Sequence, residues 1–266
     1  MTASLRNNVS ISGRGSQPLI FAHGFGCDQR MWRLVAPTFE ADYKVVLFDY
    51  VGAGNSDLSA YRTPRCNSLS GYSLDLLGLM EELELEPAIV VAHSVSSSIA
   101  LLASIERPQS FRALALVAPS PSFLNDPPDY QWGFRASDIE GLLELVEKNP
   151  MGWAASVAPI VMKNSDQPQL QAELNASFCA IRPDIARESA RVTFLSNNRP
   201  DLPKVTVPSL ILQCRDDALA PLEVGHYLHR QFRGSRLEIL PVEGHCPHLS
   251  DPELTSQALR RYLSSL

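Results

Sequence analysis

Six short apolar runs constrain the fold of this 266-residue chain more than any other feature of its sequence. Together they are rich in β-branched residues, and Gly, Pro or Asp bounds them: PLIFAHG, KVVLFDY, AIVVAHS, ALALVAP, PSLILQC and RLEILPV. Most are continuous rather than alternating, which is typical of strands buried on both faces. Segments with helical periodicity separate them: GYSLDLLGLMEELEL, SSSIALLASIERP, LEVGHYLHRQF and PELTSQALRRYLSSL. This alternation predicts an α/β fold with a mostly parallel sheet and helices on both faces, and VSIS near the N-terminus predicts an antiparallel edge strand.

One long segment interrupts the alternation of strands and helices. Residues 122–200 contain no run typical of a buried strand but four helix-like pieces: SDIEGLLELVEKN, PMGWAASVAPIVM, PQLQAELNASF and PDIARESARVTFLS. Each of the last three has a proline at or near its start, where a missing backbone N–H is tolerated: Pro150, Pro168 and Pro183. We therefore predict a core domain formed by residues 1–121 and 201–266, with residues 122–200 as a helical insertion.

The insertion carries more apolar side chains than four short helices need among themselves. They include Trp132, Phe134, Leu142, Trp153, Val157, Phe178 and Phe194. We expect the excess either to pack on the sheet or to line a cavity, and core packing is the commoner fate of any single one.

Charge and composition exclude several function classes. The formal net charge is −6 and no run of Lys or Arg stands out, so nucleic acid is not an expected partner. No stretch approaches the roughly 18 apolar residues of a membrane span, and MTASLRNNVSIS lacks the apolar segment of a signal peptide. We therefore expect a soluble cytoplasmic protein that does not bind membranes.

The cysteines and histidines do not predict a metal or a cofactor. The five cysteines are an odd number without C-x-x-C spacing, which disfavours a disulfide framework or a thiolate cluster. His226 and His229 fit a solvated helix face, because no acidic residue or cysteine lies beside them as a further ligand. A metal held by His245, Cys246 and His248 remains a remote alternative.

Residues with catalytic chemistry follow three of the apolar runs. Ser94 follows AIVVAH, Asp217 comes shortly after PSLILQC, and His245 comes shortly after RLEILPV. In an open parallel sheet, reactive groups gather at the carboxyl ends of the strands. The chain order Ser, Asp, His is that of the α/β-hydrolase arrangement.

These three residue types form a nucleophilic system when they meet. A serine hydroxyl becomes a good nucleophile when a neutral imidazole takes its proton, and a carboxylate on the other ring nitrogen fixes the tautomer. Ser94, His245 and Asp217 would fill these roles. The backbone N–H groups of Val95 and Phe25 are the candidates for stabilising the tetrahedral oxyanion.

Alternatives exist for each assignment. Taken by itself, Ser94 could simply cap the following helix. Asp216 is an alternative to Asp217 as the acid, and His248 is an alternative to His245 as the base. His23 and His93 read as structural hydrogen-bonding residues. GAGNSD at residues 52–57 lacks the spacing and the lysine of a phosphate loop and reads as a turn at a strand end.

With these residues in hand, the chain resembles the α/β-hydrolase superfamily, and within it the group of the bacterial stress regulator RsbQ and the plant karrikin and strigolactone receptors. Six motifs carry the resemblance: FAHGFGCDQRMW, LFDYVGAGNSD, AHSVSSSIALLASIERP, APSPSFLNDPPDY, TVPSLILQCRDDALAP and EGHCPHLSDP. It implies an eight-stranded sheet under a four-helix lid, with a deep apolar pocket leading to Ser94. The implied pocket walls are Phe25, Phe123, Phe134, Trp153, Val157, Phe194 and Leu219.

The resemblance also implies what such a protein does. Similar proteins slowly hydrolyse small apolar esters or lactones and act as sensors, and we expect no cofactor. RsbQ acts with a PAS-domain phosphatase in a stress-response pathway, which implies a regulatory protein partner for an RsbQ-like chain. We expect a monomer or a weak dimer.

The residues beside Ser94 depart from the family pattern. Ala92 stands where most relatives have Gly, Ser96 where they have Gly or Ser, and Ala100 where Gly is common. The tight turn at the nucleophile leaves little room for side chains at the positions two before and two after it. We expect the turn to form with local adjustment, at a strain of about 1 kcal/mol, and turnover or stability to be lowered.

Overall fold

The central feature of the computed structural model, which describes residues 2–61 and 63–266, is a seven-stranded sheet. Its strands are β1 (Ser10–Ser12), β2 (Pro18–Ala22), β3 (Lys44–Leu47), β4 (Ala88–His93), β5 (Phe111–Val117), β6 (Ser209–Asp216) and β7 (Ser235–Glu243). They lie in the order β1-β3-β2-β4-β5-β6-β7. The pairing of β1 with β3 is antiparallel, and the other pairs are parallel. The predicted mostly parallel sheet and the edge strand from VSIS are confirmed.

The strand count of eight implied by the resemblance is wrong for the described part of the chain, which forms seven. The residues before β1 form a short helix, α1 (Ala3–Arg6), instead of a further strand. Ala3 is fully buried, and its backbone N–H donates to the Glu82 carboxylate at 2.6 Å. The backbone carbonyl of Asn7 accepts a hydrogen bond from the Asp49 N–H at 2.8 Å. These contacts anchor the N-terminal residues to Glu82 and Asp49.

Both faces of the sheet are covered, which explains why the apolar runs are continuous. Successive side chains of a strand point to opposite faces. Phe21 and Val91 belong to one buried cluster, and their neighbours Ile20 and Val90 belong to another. Besides α1, the α-helices that the described residues form outside the insertion are α2 (Thr63–Cys66), α3 (Leu69–Glu82), α4 (Val95–Glu106), α9 (Leu222–Gln231), α10 (Pro247–Ser250) and α11 (Pro252–Leu263).

Four helices connect β5 to β6 where the sequence predicts helical pieces. They are α5 (Ala136–Lys148), α6 (Pro150–Met162), α7 (Pro168–Cys179) and α8 (Pro183–Phe194). The last three begin with proline, as predicted. Helix α6 packs on α5 and α7, and α5 packs on α8. None of the helices formed by the described residues combines the length and the apolar character needed to cross a membrane.

Candidate active site

Ser94 occupies a sharp turn between β4 and α4. Its backbone angles, φ 55° and ψ −123°, lie in a region that residues other than glycine rarely adopt. The Ser94 N–H donates to the Val117 carbonyl at 2.9 Å, and the Ser94 carbonyl accepts from the Ser97 N–H at 2.9 Å. A strained serine between a strand and a helix is the geometry that exposes the nucleophile of α/β hydrolases.

One hydrogen-bond chain joins Ser94, His245 and Asp217. Ser94 Oγ lies 2.7 Å from His245 Nε2, and His245 Nδ1 lies 2.7 Å from Asp217 Oδ2. All three residues are buried. The second carboxylate oxygen of Asp217 accepts the backbone N–H groups of Leu219 at 2.8 Å and Ala220 at 3.1 Å. The carboxylate is therefore held from both sides.

This arrangement determines the tautomer of the imidazole. A carboxylate only accepts hydrogen bonds, so Nδ1 of His245 carries the proton and donates to Asp217. Nε2 is left with a lone pair, to which the Ser94 hydroxyl donates. This is the protonation state from which a histidine removes the proton of a serine nucleophile.

The two alternatives left open by the sequence lie outside this chain of hydrogen bonds. Asp216 is exposed and forms an ion pair with Lys163. His248 is fully buried, and neither of its ring nitrogens has a hydrogen-bond partner among residues 2–61 and 63–266. Neither residue contacts the Ser94 hydroxyl.

The predicted oxyanion donors are the N–H group of Val95, which follows Ser94 in the chain, and that of Phe25, which lines the same cavity as Ser94. Val95 is the first residue of α4, so its N–H has no partner carbonyl within that helix. Gly24 lies so close to the turn that a Cβ on it would meet His93 Nδ1 at 2.5 Å and Ser94 Cβ at 3.4 Å. The absence of a side chain at Gly24 brings the next residue, Phe25, beside Ser94.

The residues that replace the flanking glycines fit within the turn. Ala92 is fully buried in β4 and pairs with Ala22 and Leu116 on the two neighbouring strands. Ser96 is also fully buried, and its hydroxyl donates to the His23 carbonyl. Ser96 therefore adds a buried hydrogen bond between the turn and the strand end that precedes Phe25.

His23 and His93 have structural hydrogen bonds, as the sequence suggests. His23 Nε2 accepts the Tyr50 N–H at 3.1 Å, so Nδ1 carries the proton and donates to the Gly24 carbonyl at 2.9 Å. His93 Nε2 donates to the His245 carbonyl at 2.8 Å. Burial lowers the pKa of both imidazoles below their usual range, so both are neutral.

A small, mainly apolar cavity opens beside Ser94 and His245. Six of the seven wall residues implied by the resemblance line it: Phe25, Phe123, Trp153, Val157, Phe194 and Leu219. Phe25 is central, since its ring packs edge-on against Trp153 at 5.9 Å and Phe194 at 5.6 Å between ring centroids. Phe123 packs on Phe194 at 5.3 Å.

Phe134 is the implied wall residue that does not line this cavity. Its N–H donates to the Phe123 carbonyl at 2.7 Å, and its carbonyl accepts from the Asn125 N–H at 2.9 Å. These bonds hold Phe134 in the loop before α5, where its side chain is half-buried against the core.

Several lining residues were not singled out as walls from the sequence. They are Cys27, His93, Leu142, Val161, Leu174, Phe178, Thr193 and Cys246. Helical spacing was the available signal for some of them. Trp153, Val157 and Val161 recur every four residues on α6, so they share one face. Leu174 and Phe178 have the same spacing on α7.

His93, Cys246 and His248 form a buried group of potential metal ligands next to His245. Their potential ligand atoms lie within 4.8 Å of one another. In a tetrahedral zinc site, neighbouring ligand atoms are about 3.3–3.7 Å apart and the cysteine is a thiolate. Burial raises the pKa of the Cys246 thiol well above its usual range, which makes the thiolate costly to form. The ring centroid of His248 lies 4.5 Å from both Trp32 and His93, so we interpret the group as aromatic packing.

The remote alternative with His245 as a metal ligand also does not fit. Both ring nitrogens of His245 are already engaged, one with Ser94 and the other with Asp217. Metal binding through either nitrogen would break the hydrogen-bond chain.

Comparison with known proteins places the chain in a family. Residues 19–258 match the alpha/beta hydrolase family, and the chain belongs to it. A solved structure of a hydrolase from Oleispira antarctica has a TM-score of 0.97 to this chain and 41% sequence identity, and the match covers 99% of this chain and 97% of the other. The predicted fold class and the predicted hydrolase family are confirmed.

Within the family, the chain is similar to plant receptors and esterases. Karrikin insensitive 2 receptor CA of Petunia hybrida is 38% identical over 97% of this chain and 95% of its own length. Strigolactone esterase D14 of Arabidopsis thaliana is 38% identical over 96% of each chain. The predicted karrikin and strigolactone receptor-like subgroup is confirmed. The particular resemblance to RsbQ stays a prediction.

Proposed function

We propose that this protein is a serine hydrolase that cleaves small, mainly apolar esters or lactones. Ser94 is the nucleophile, His245 the general base and Asp217 the residue that orients the base. The observation that carries the proposal is the pair of 2.7 Å hydrogen bonds that join Asp217 to His245 and His245 to Ser94.

The reaction follows from this geometry. Ser94 Oγ attacks the carbonyl carbon of the substrate while His245 Nε2 takes the hydroxyl proton. The oxyanion of the tetrahedral intermediate accepts hydrogen bonds from the N–H groups of Phe25 and Val95. The intermediate then expels the alcohol oxygen, which receives the proton from His245, and an acyl group remains on Ser94. Water, deprotonated by His245, hydrolyses this ester and releases the carboxylic acid.

The cavity supports a neutral, mainly apolar substrate. Most of its walls are aromatic and aliphatic, and apart from Ser94 and His245 the lining adds only Thr193, the neutral imidazole of His93 and the thiols of Cys27 and Cys246. A charged group placed among such walls loses its hydration without gaining an ion-pair partner, which is unfavourable by several kcal/mol. An ester or lactone carbonyl, by contrast, needs the hydrogen bonds that the oxyanion donors supply.

Hydrolysis of a neutral p-nitrophenyl ester tests this proposal. We expect the natural sequence to be active and Ser94→Ala to lose activity by at least about 1,000-fold, as expected when a triad nucleophile is removed. Ser98→Ala is a matched control, because Ser98 is a buried serine of the same helix whose hydroxyl faces the Ser120 carbonyl at 3.3 Å. Equal activity of Ser94→Ala and the natural sequence would contradict the proposal.

Ligand sensing coupled to slow hydrolysis is the second candidate. It is supported by the similarity to a karrikin receptor and by direct contact between α6 and the base, since the Val161 carbonyl accepts the His245 N–H at 2.8 Å. A cytoplasmic protein partner, such as a PAS-domain phosphatase for an RsbQ-like protein, belongs to this candidate. Pull-downs with and without ligand, and with Ser94→Ala, distinguish it from a simple esterase: a sensor recruits its partner in a ligand-dependent manner.

A further inference from the structure

Lys163 directly follows helix α6 and has an unusual backbone conformation. Its angles, φ 53° and ψ −117°, nearly match those of Ser94, and Asn164 after it also has a positive φ. Glycine adopts such angles freely, whereas a lysine is strained there. Glycine could adopt these angles without strain, so the presence of lysine at this position suggests that its side chain has a role.

The Lys163 side chain reaches the turn that carries Asp217. Its ammonium group forms an ion pair with the carboxylate of Asp216, the residue directly before Asp217. The backbone carbonyl of Asp216 accepts the N–H of Gly244 at 2.8 Å, and Gly244 directly precedes His245. Asp216 therefore connects Lys163 with the turn of the acid and the turn of the base.

The backbone of the same helix end contacts the base turn. The Val161 carbonyl, one of the last four of α6, has no partner N–H within its helix and accepts the His245 N–H at 2.8 Å. Gly244, at φ +86°, lies so close that a Cβ on it would meet the Met162 carbonyl oxygen at 2.2 Å. The end of α6 is thus in contact with both residues 244 and 245.

We propose that Lys163 is a positioning residue for the hydrolysis: its ion pair with Asp216 keeps Asp217 aligned with His245 and fixes both to the end of α6. This inference rests on the proposed function of Ser94, His245 and Asp217. Because the side chains of Lys163 and Asp216 are 30% and 53% exposed, the ion pair is of the weak, partly solvated kind. Its loss therefore lowers kcat by about two- to fivefold rather than abolishing activity.

The first test compares Lys163→Met, Lys163→Arg and a control, Arg33→Met. Arg33 forms a similarly exposed ion pair with Glu173 of α7, which involves neither the turn of Asp217 nor that of His245. We expect Lys163→Met to lower kcat with little change in KM, Lys163→Arg to restore kcat, and Arg33→Met to leave kcat unchanged. The difference between the natural sequence and Lys163→Met should shrink in 1 M NaCl, where ion pairs are screened. A kcat for Lys163→Met equal to that of Arg33→Met would overturn the inference.

Two further variants separate positioning from general stabilisation. Lys163→Gly relieves the backbone strain, so we expect it to melt no lower than the natural sequence while its kcat still falls. Asp216→Asn should lower kcat as Lys163→Met does, and the double variant should show no further drop, because both changes remove the same ion pair. Additive effects would overturn the inference.

The outcomes also distinguish this inference from the proposed function. If the natural sequence and Arg33→Met hydrolyse the ester while Lys163→Met equals them, the positioning role of Lys163 fails and the hydrolase proposal stands. If none of the three hydrolyses it, the hydrolase proposal itself fails.

Discussion

Ser94 Oγ and His245 Nε2 lie 2.7 Å apart although 151 positions separate the two residues along the chain. Ser94 directly follows β4, and His245 comes two residues after the end of β7. The carboxyl ends of parallel strands meet at one edge of the sheet, and the order β4-β5-β6-β7 places both residues at that edge. The sheet is therefore the scaffold that brings a distant serine and histidine into hydrogen-bonding contact.

The backbone conformation of Ser94 predicts that two equally inactive variants differ in stability. Ser94→Ala and Ser94→Gly both remove the hydroxyl and should both abolish hydrolysis. Glycine also relieves the strain of the φ 55° conformation, so Ser94→Gly should be more stable than Ser94→Ala by about 1 kcal/mol. Urea unfolding of both variants measures the difference. A less stable Ser94→Gly would show that the turn is not strained at this residue.

The Ser96 hydroxyl is predicted to stabilise the turn beside the nucleophile. Ser96→Ala leaves the buried His23 carbonyl without this donor, so we expect the free energy of unfolding to fall by about 1–2 kcal/mol. Ser98→Ala serves as the comparison, because the Ser98 hydroxyl makes only a long 3.3 Å contact with the Ser120 carbonyl. Denaturant unfolding should give the larger loss for Ser96→Ala, and the reverse order would contradict the assignment.

His248 is predicted to make the fold sensitive to acid. Burial, followed by the charges of His245 and Arg33, lowers the pKa of His248 to about 3. The unfolded chain therefore takes up this proton first as the pH falls, and stability is lost between about pH 6.5 and pH 3. Between pH 7 and pH 4.5 the loss from this one residue is about 2–3 kcal/mol.

Replacing His248 by Phe should make stability less dependent on pH. Phenylalanine keeps an aromatic ring against Trp32, and the His248 ring nitrogens have no partners among the described residues to lose. His93, whose pKa is also lowered by burial, leaves part of the acid sensitivity in place. The free energy of unfolding of each variant, measured at pH 7 and at pH 4.5, tests this prediction. His226→Gln is the control, because His226 is exposed. Equal pH dependence in His248→Phe and His226→Gln would contradict the prediction.

The apolar cavity predicts strong selection against charged acyl groups. p-Nitrophenyl butyrate and p-nitrophenyl hemisuccinate have acyl chains of the same length, but the second ends in a carboxylate. Because the cavity walls offer this carboxylate no cation, we expect its kcat/KM to be at least about 100-fold lower. Comparable values for the two esters would show that the acyl chain does not enter the cavity.

The sequence predicts the sheet and the order of the catalytic residues well because both depend on local patterns. Each buried strand is a continuous apolar run, and each candidate catalytic residue follows such a run. The choice between Asp216 and Asp217 stays open, because adjacent residues share the same pattern and differ only in the direction of their side chains. In the structure Asp217 points inward to His245, while Asp216 points outward to Lys163.

Features that depend on packing between distant segments are less predictable. The cavity walls combine side chains from α5 to α8 with loop residues such as Cys27 and Cys246, and only those on one helix face share a recognisable spacing. Phe134 is aromatic like several of the wall residues, but backbone hydrogen bonds hold it in the loop before α5, outside the cavity. The Lys163 ion pair likewise has no signal in the sequence, because it joins residues 53 positions apart through the geometry of two turns.

Covalent labelling of the nucleophile tests the central claim most directly. A fluorophosphonate reacts with serine hydroxyls that a neighbouring base activates, and peptide mass spectrometry identifies the modified residue. We predict a single adduct on Ser94, formed in step with the loss of esterase activity and absent from Ser94→Ala. A folded protein that hydrolyses esters but carries no adduct on Ser94, or carries it on another serine, would contradict the account.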